Sequence, residues 1–258
     1  MLLQNETKML FDMTGLPSET APCLIVWGHG WGQNRSMFKP FAETLSARAA
    51  HMLVDFPGFG LSPPPPQSWG TADYADALAK LIRPYRGVKK IVYVGHSFGG
   101  RIGIQIAARH PELIDGLFLI GSAGLPRKRK FMKKLEMACR VYTFKTLKHL
   151  APLFGLNVET LRTKFGSADY RTAGSMRPIF MRMISENLSR EAQQVKCPVQ
   201  LVYGANDTET PPEIGQRLAK IMAKAALTIL PEQDHYSVLG EGRHVVIKRL
   251  ADFMESIR

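Results

Sequence analysis

The sequence predicts an α/β protein with a mostly parallel, doubly wound sheet. Apolar runs typical of buried strands alternate with segments whose apolar residues recur at helical spacing, up to about residue 124 and again from residue 196. One such strand, Ile91 to Val94, leads through Gly95 to Gly100 (GHSFGG) into a helical pattern. That order is typical of a sharp strand-to-helix corner on a parallel sheet.

Composition favours one soluble core in this chain of 258 residues. No signal-peptide pattern is visible, and no apolar run reaches the roughly 18 residues of a membrane span. We therefore expect a cytoplasmic protein without a transmembrane segment. The three cysteines lack metal-ligand spacing, and neither a metal nor an organic cofactor is expected. The net charge of +12 permits an acidic partner, an anionic substrate or an anionic membrane surface without choosing among them.

The first elements form a βαβ pattern after a short strand over residues 8–13. Cys23 to Trp27 is wholly apolar and ends in the glycine-rich segment Gly28 to Gly32, which predicts a buried strand entering a tight loop. Ser36 to Arg48 has apolar residues at helical spacing, and His51 to Phe56 is strand-like.

Proline and glycine end that strand, and a run of four prolines predicts an extended surface loop. A helix is expected over residues 71–84. The corner strand and its helix follow, and the helix ends near His110. Ile114 to Ile120 is the next buried strand.

The alternation stops over residues 125–195, which read as several helices rich in Met, Lys and Arg. It resumes with a strand at Cys197 to Tyr203, a helix at Pro212 to Lys224, a strand at Ala226 to Leu230 and a final helix at Arg243 to Ile257. The chain is therefore predicted to be one α/β core with an insertion.

Ser97 is the candidate nucleophile. At so sharp a corner little space remains beside the serine, which explains Gly95 and Gly99 two positions away on either side. The helix that begins after Ser97 directs free N–H groups and its positive dipole end towards an oxyanion formed there.

A serine hydroxyl needs a base, and the base needs an orienting acid. His235 follows the strand Ala226 to Leu230 in a loop that can reach Ser97, whereas His244 lies within a helical pattern. We assign His235 as general base and His244 as structural. The histidines before residue 150 are interpreted as turn, helix-end or surface residues.

Asp207 is the candidate acid because it follows the strand Cys197 to Tyr203 directly. Glu209, two residues on, is the alternative. The other position where such an acid can lie follows Ile120, and no carboxylate occurs there. Two backbone N–H groups are also needed for the oxyanion, and Phe98 and Trp31 are placed to supply them.

The chain resembles the α/β-hydrolases of the lidded, single-domain type. The motifs are HGWG from His29, DFPGFGLS from Asp55, GHSFGG from Gly95, GANDTETP from Gly204 and DHYS from Asp234. The resemblance implies the triad Ser97, Asp207 and His235, with Asp55 holding a turn. It further implies a core of residues 1–124 and 196–258 and a helical lid over residues 125–195, inserted after the sixth strand.

The start of this insertion, Arg127 to Lys148, places bases between apolar residues at helical spacing, which predicts a basic amphipathic helix. Such a helix either exposes its charges to solvent or docks an acidic carrier protein, anionic lipid or an anionic substrate. Candidate pocket residues are Trp31, Phe98, Tyr236 and Met176. The HGWG and DFPGFG segments also resemble those of pimeloyl-acyl-carrier-protein methyl ester esterases, which carry a tryptophan where this chain has His96.

The main hypothesis is a serine hydrolase that cleaves a small-molecule or carrier-bound carboxylic ester. Thioester, amide or carbon-carbon bond cleavage by the same triad remains open. A non-catalytic binding module on the same fold is the competing class. A nucleic-acid or membrane-surface binder ranks last, since no nucleic-acid-binding motif accompanies the positive charge. The oligomeric state is not predicted.

Overall fold

A computed structural model of the chain describes residues 8–86, 90–128 and 168–257, with isolated positions at 139, 142, 143, 146, 147 and 150. The described residues contain a seven-stranded sheet with the order β1-β3-β2-β4-β5-β6-β7. The strands are β1 (Leu10–Gly15), β2 (Cys23–Gly28), β3 (Ala50–Asp55), β4 (Lys90–His96), β5 (Gly116–Ile120), β6 (Val199–Gly204) and β7 (Ala225–Leu230). Only β1 pairs antiparallel, with β3, and every other pair is parallel.

Helices cover both faces of this sheet. The helices of the described part are α1 (Lys39–Thr44), α2 (Thr71–Ile82), α3 (Phe98–Arg109), α4 (Ala168–Thr172), α5 (Arg177–Ser185), α6 (Ser189–Gln194), α7 (Pro212–Ile221) and α8 (Arg243–Ser256). Alternate residues of β2 enter different apolar clusters, Leu24 on the face covered by α2 and α3 and Ile25 on the face covered by α1 and α8. The doubly wound arrangement expected from the sequence is confirmed.

The long interruption of the alternation lies between β5 and β6. It follows the fifth strand of the described sheet, not the sixth, because only four strands precede β5 in the described chain. In its described part, α4, α5 and α6 lie in this interval. The basic amphipathic helix expected over residues 127–148 lies largely outside the described residues. No helix among the described residues is long and apolar enough to cross a membrane.

Candidate active site

Ser97 lies at a strained corner between β4 and α3. Its backbone has φ 50° and ψ −105°, a conformation that residues with a Cβ rarely adopt. The neighbouring glycines are required by close backbone approach. A Cβ on Gly95 would lie 2.5 Å from the Gly99 carbonyl oxygen, and a Cβ on Gly99 would lie 2.1 Å from the Gly28 carbonyl oxygen. The predicted sharp corner is therefore present.

Asp207 and His235 form a buried pair on the loops after β6 and β7. His235 Nδ1 lies 2.7 Å from Asp207 Oδ2, and the two residues are 5% and 3% exposed. An ionised carboxylate only accepts hydrogen bonds, so Nδ1 carries the proton and the lone pair is on Nε2. This tautomer can accept a proton from a serine hydroxyl.

The alternative acid and base lie elsewhere. Glu209 is 59% exposed at its side chain and forms an ion pair of 3.7 Å with Arg127. His244 is exposed on α8, where its Nδ1 lies 3.0 Å from the Glu241 carbonyl oxygen. Of these acidic and histidine candidates, Asp207 and His235 are the two that the structure brings together.

Ser97 and His235 line the same cavity, whose volume is about 610 Å³. This volume is in the range of pockets that bind small ligands. Among the hydrogen bonds of the described part there is none between the Ser97 hydroxyl and His235. Bonds of this kind are often long before substrate binds and shorten in the complex.

The two expected oxyanion donors also lie at this cavity. Phe98 is the first residue of α3, so its N–H has no acceptor within the helix, and Trp31 follows Gly30 in the loop after β2. Neither N–H donates to another residue in the part of the chain that the structure describes. Both groups are therefore available to a ligand oxygen.

Thr210 supports the acid in a way that sequence reasoning missed. Its N–H donates to Asp207 Oδ1 at 2.7 Å, and its Oγ1 lies 2.8 Å from Asp207 Oδ2. The Glu209 N–H donates to the same Oδ1 at 2.8 Å. A short polar residue three positions after a loop aspartate is a weak sequence signal of such a turn.

His29 and Asp55 hold the glycine-rich loop that carries Trp31. His29 Nδ1 donates to the Gly30 carbonyl oxygen at 2.7 Å, and its Nε2 accepts from the Phe56 N–H at 3.1 Å. Burial lowers the pKa of His29 to about 4, so the ring is neutral at pH 7. Asp55 accepts from the N–H groups of Arg35 and Leu61, as expected of a turn-holding residue.

Three of the four pocket residues expected from the sequence line the cavity, namely Trp31, Phe98 and Tyr236. Met176 is not among the lining residues. Its side chain packs over Gly58, where a Cβ would lie 2.2 Å from the Met176 methyl carbon. Phe180 and Met183 of α5 line the cavity in its place.

No group of three or more His, Cys, Asp and Glu residues that could hold a metal ion occurs within the described ranges.

Residues 24–242 match the model of a protein family described as the alpha/beta hydrolase fold. The chain belongs to this family. The match includes the corner at Ser97 and the loops that carry Asp207 and His235.

Curated members similar to this α/β hydrolase act on different compounds. A pimeloyl-[acyl-carrier protein] methyl ester esterase of Chromobacterium violaceum is 28% identical and covers 90% of this chain and 94% of its own length. A 2-(acetamidomethylene)succinate hydrolase of Mesorhizobium japonicum is 25% identical and covers 90% of this chain and 88% of its own. Among solved structures, the enol-lactonase from Burkholderia xenovorans LB400 aligns with a TM-score of 0.72 at 21% identity, over 97% of this chain and 98% of that one.

Proposed function

We propose that this α/β hydrolase cleaves a carboxylic ester through an acyl-enzyme on Ser97, with His235 as general base and Asp207 as orienting acid. The observation that carries the proposal is the buried His235–Asp207 hydrogen bond of 2.7 Å beside the cavity that Ser97 also lines. A base with its lone pair on Nε2 and a serine on a strained corner are the two parts that nucleophilic ester cleavage requires.

In the first half of the reaction, Ser97 Oγ attacks the ester carbonyl carbon while its proton passes to His235 Nε2. The carbonyl oxygen becomes an oxyanion that accepts hydrogen bonds from the N–H groups of Trp31 and Phe98. The bond to the leaving oxygen then breaks, and His235 gives its proton to that oxygen, which leaves as an alcohol. The acyl group remains on Ser97.

Water completes the reaction. It attacks the acyl carbon as His235 Nε2 takes one of its protons, and a second oxyanion forms on the same two N–H groups. When the bond to Ser97 Oγ breaks, His235 returns the proton to that oxygen. A carboxylic acid is released and the serine is regenerated.

We also propose that residues 125–195 form a lid that sets substrate choice. The described part of this interval supplies Phe180 and Met183 to the cavity wall, together with Leu125. The similarity to esterases of pimeloyl-[acyl-carrier protein] makes a carrier-bound ester one substrate to test, for which the basic run is a docking surface. The cytoplasmic location expected from the sequence stays a prediction.

Hydrolysis of p-nitrophenyl esters from acetate to long acyl chains tests this function, with matched thioesters beside them. Ser97→Ala is the inactive variant, and Ser46→Ala, at an exposed serine before β3, is the matched control. We expect turnover by the wild type and the control but not by Ser97→Ala. If the wild type cleaves neither series and binds the esters without turnover, the protein is a binding module.

A further inference from the structure

Arg101 is a buried cation on the helix that begins after the nucleophile. It lies four residues after Ser97 on α3, a spacing that places two residues on the same side of a helix. The residue is 7% exposed, and it is the one buried arginine or lysine in the part of the chain that the structure describes. Burying a charge is costly unless a partner compensates for it.

The described residues offer Arg101 little compensation. Its Nη1 donates to the Glu186 backbone carbonyl oxygen at 3.3 Å, and no carboxylate of the described chain lies within ion-pair distance of its guanidinium. The nearby Glu186 carboxylate is bound instead by the N–H of Thr71, at 3.0 Å, and by the Thr71 hydroxyl. Glu186 raises the pKa of Arg101 only through space.

Arg101 has N–H groups that lack a partner among the described residues and that reach solvent. Arg101 lines the cavity that Ser97 also lines. Each of its side-chain nitrogens either has a hydrogen-bond partner or is not fully buried. A guanidinium has five N–H donors, of which one donates to an acceptor among the described residues. Burial lowers the pKa of Arg101 to about 10, so the group stays charged at neutral pH.

The cavity wall carries both signs of charge, from Asp169, Glu186, Glu209, Arg101 and Arg127. Glu209 pairs with Arg127, and Asp169 interacts through space with Glu209 and His235. Arg101 instead adjoins Glu186, at the end of α5. Of the two arginines in the described cavity wall, Arg127 is paired with a carboxylate, whereas Arg101 has no carboxylate at ion-pair distance among the described residues.

We propose that Arg101 binds a carboxylate of the substrate, so that the esters this enzyme prefers carry a free carboxylate in addition to the ester group. This inference rests on the proposed function and names its substrate class. The planar fork of donors matches the two oxygens of a carboxylate, and a ligand of that charge would compensate the buried cation. The net charge of +12 also favours the approach of an anionic substrate.

Paired substrates that differ only in charge test the inference. For an acid on the acyl side, the pair is the p-nitrophenyl monoester of glutaric acid and the corresponding ester of glutaramic acid. For an acid on the alcohol side, the pair is the acetyl ester of p-hydroxybenzoate and that of p-hydroxybenzamide. The readout is the ratio of kcat/KM for the acid to that for its amide, in the wild type, in Arg101→Gln and in Arg249→Gln. Arg249 is an exposed arginine on α8 that does not line the cavity, so this control loses the same charge outside the cavity wall.

We expect the wild type to prefer the acid in at least one pair, and Arg101→Gln to lower that ratio about 10- to 100-fold. Arg249→Gln keeps the wild-type ratio. A wild type that prefers both amides, or an Arg101→Gln ratio equal to that of the wild type, overturns the inference while the ester hydrolase stands.

Binding provides a second readout that does not depend on turnover. Calorimetric titration of glutarate into Ser97→Ala and into Ser97→Ala combined with Arg101→Gln measures the contact directly. The inference requires at least about tenfold weaker binding by the double variant. Equal binding of glutarate by the two proteins, or no binding by either, contradicts the inference. If the wild type hydrolyses no ester but glutarate binding still depends on Arg101, only the proposed function is contradicted.

Discussion

His96 donates a hydrogen bond from Nε2 to the backbone carbonyl oxygen of His235 at 3.0 Å, and the two imidazole rings lie 4.7 Å apart. Because a carbonyl oxygen only accepts, the proton of His96 is on Nε2 and its buried Nδ1 has no partner among the described residues. Burial is the main cause that lowers the pKa of His96 to about 3. His96 is therefore a neutral residue that positions the loop carrying His235.

Replacement of His96 by leucine should lower kcat more than it changes KM. The variant removes the donor to His235 and fills its place with an apolar side chain, so the proposed base is held less firmly and kcat should fall about tenfold or more. Steady-state kinetics with p-nitrophenyl acetate measures this, and His244→Leu, at an exposed position of α8, is the control. A His96→Leu enzyme with the kcat of the wild type would show that this contact positions nothing.

Asp207→Asn should reduce kcat by roughly a thousandfold to ten-thousandfold. The N–H groups of Glu209 and Thr210 hold the amide oxygen at the Oδ1 position, so the amide NH2 faces His235 Nδ1 and favours the tautomer without a lone pair on Nε2. Glu209→Gln should have a far smaller effect, because Glu209 pairs with Arg127 and not with His235. Comparison of kcat in the two variants discriminates between the two acids. The assignment of Asp207 fails if the Glu209 variant is the more impaired.

Thr210→Val should destabilise the fold by about 1–2 kcal/mol and lower kcat severalfold. Valine keeps the shape but removes the hydroxyl that lies 2.8 Å from both Asp207 Oδ2 and the Gly121 carbonyl oxygen. Urea unfolding gives the stability and p-nitrophenyl acetate gives the rate. Unchanged values for both would mean that water replaces the hydroxyl without cost.

Stability should fall between about pH 6.5 and pH 4 because of buried neutral histidines. The pKa of His29 is lowered from 6.5 to about 4 in the folded protein, whereas in the unfolded chain it is ordinary. The unfolded state therefore binds more protons in this interval, and the stability present above pH 6.5 is lost as pH falls through it. The loss at about pH 5 is about 2 kcal/mol for His29 alone.

Urea unfolding of the wild type and of His29→Gln at about pH 7.5 and about pH 5 measures this contribution. The loss of free energy of unfolding between the two pH values should be about 2 kcal/mol smaller in the variant. An equal loss in both proteins would show that His29 is not the group that takes up the proton.

The fold could be read from the sequence because its strands and helices are local patterns. The strand expected at Cys23 to Trp27 is observed at Cys23–Gly28, and the helix expected from Arg243 ends at Ser256, one residue before the expected end. The order of the chain also singled out Asp207 and His235, since loops at the carboxyl ends of parallel strands meet at one edge of the sheet.

Contacts between distant segments were not readable in this way. His96 and His235 are 139 positions apart, so nothing local indicated that the last residue of β4, before Ser97, would hold the loop that carries His235. Met176 has the residue type of a pocket lining, and only its packing over Gly58 places it in the core. Arg101 lies within an ordinary helical pattern, and its side chain donates to the backbone of Glu186, which is 85 positions away.

Covalent labelling by a fluorophosphonate is the most direct test of an acyl-enzyme on Ser97. Intact-mass measurement should show one added phosphonyl group on the wild type and on Ser46→Ala, none on Ser97→Ala, and peptide mapping should locate it at Ser97. Labelling in Asp207→Asn should be much slower than in the wild type, because His235 then activates the serine poorly. A wild-type protein that stays unlabelled, or a label that persists in Ser97→Ala, would contradict the assignment of Ser97 as the nucleophile.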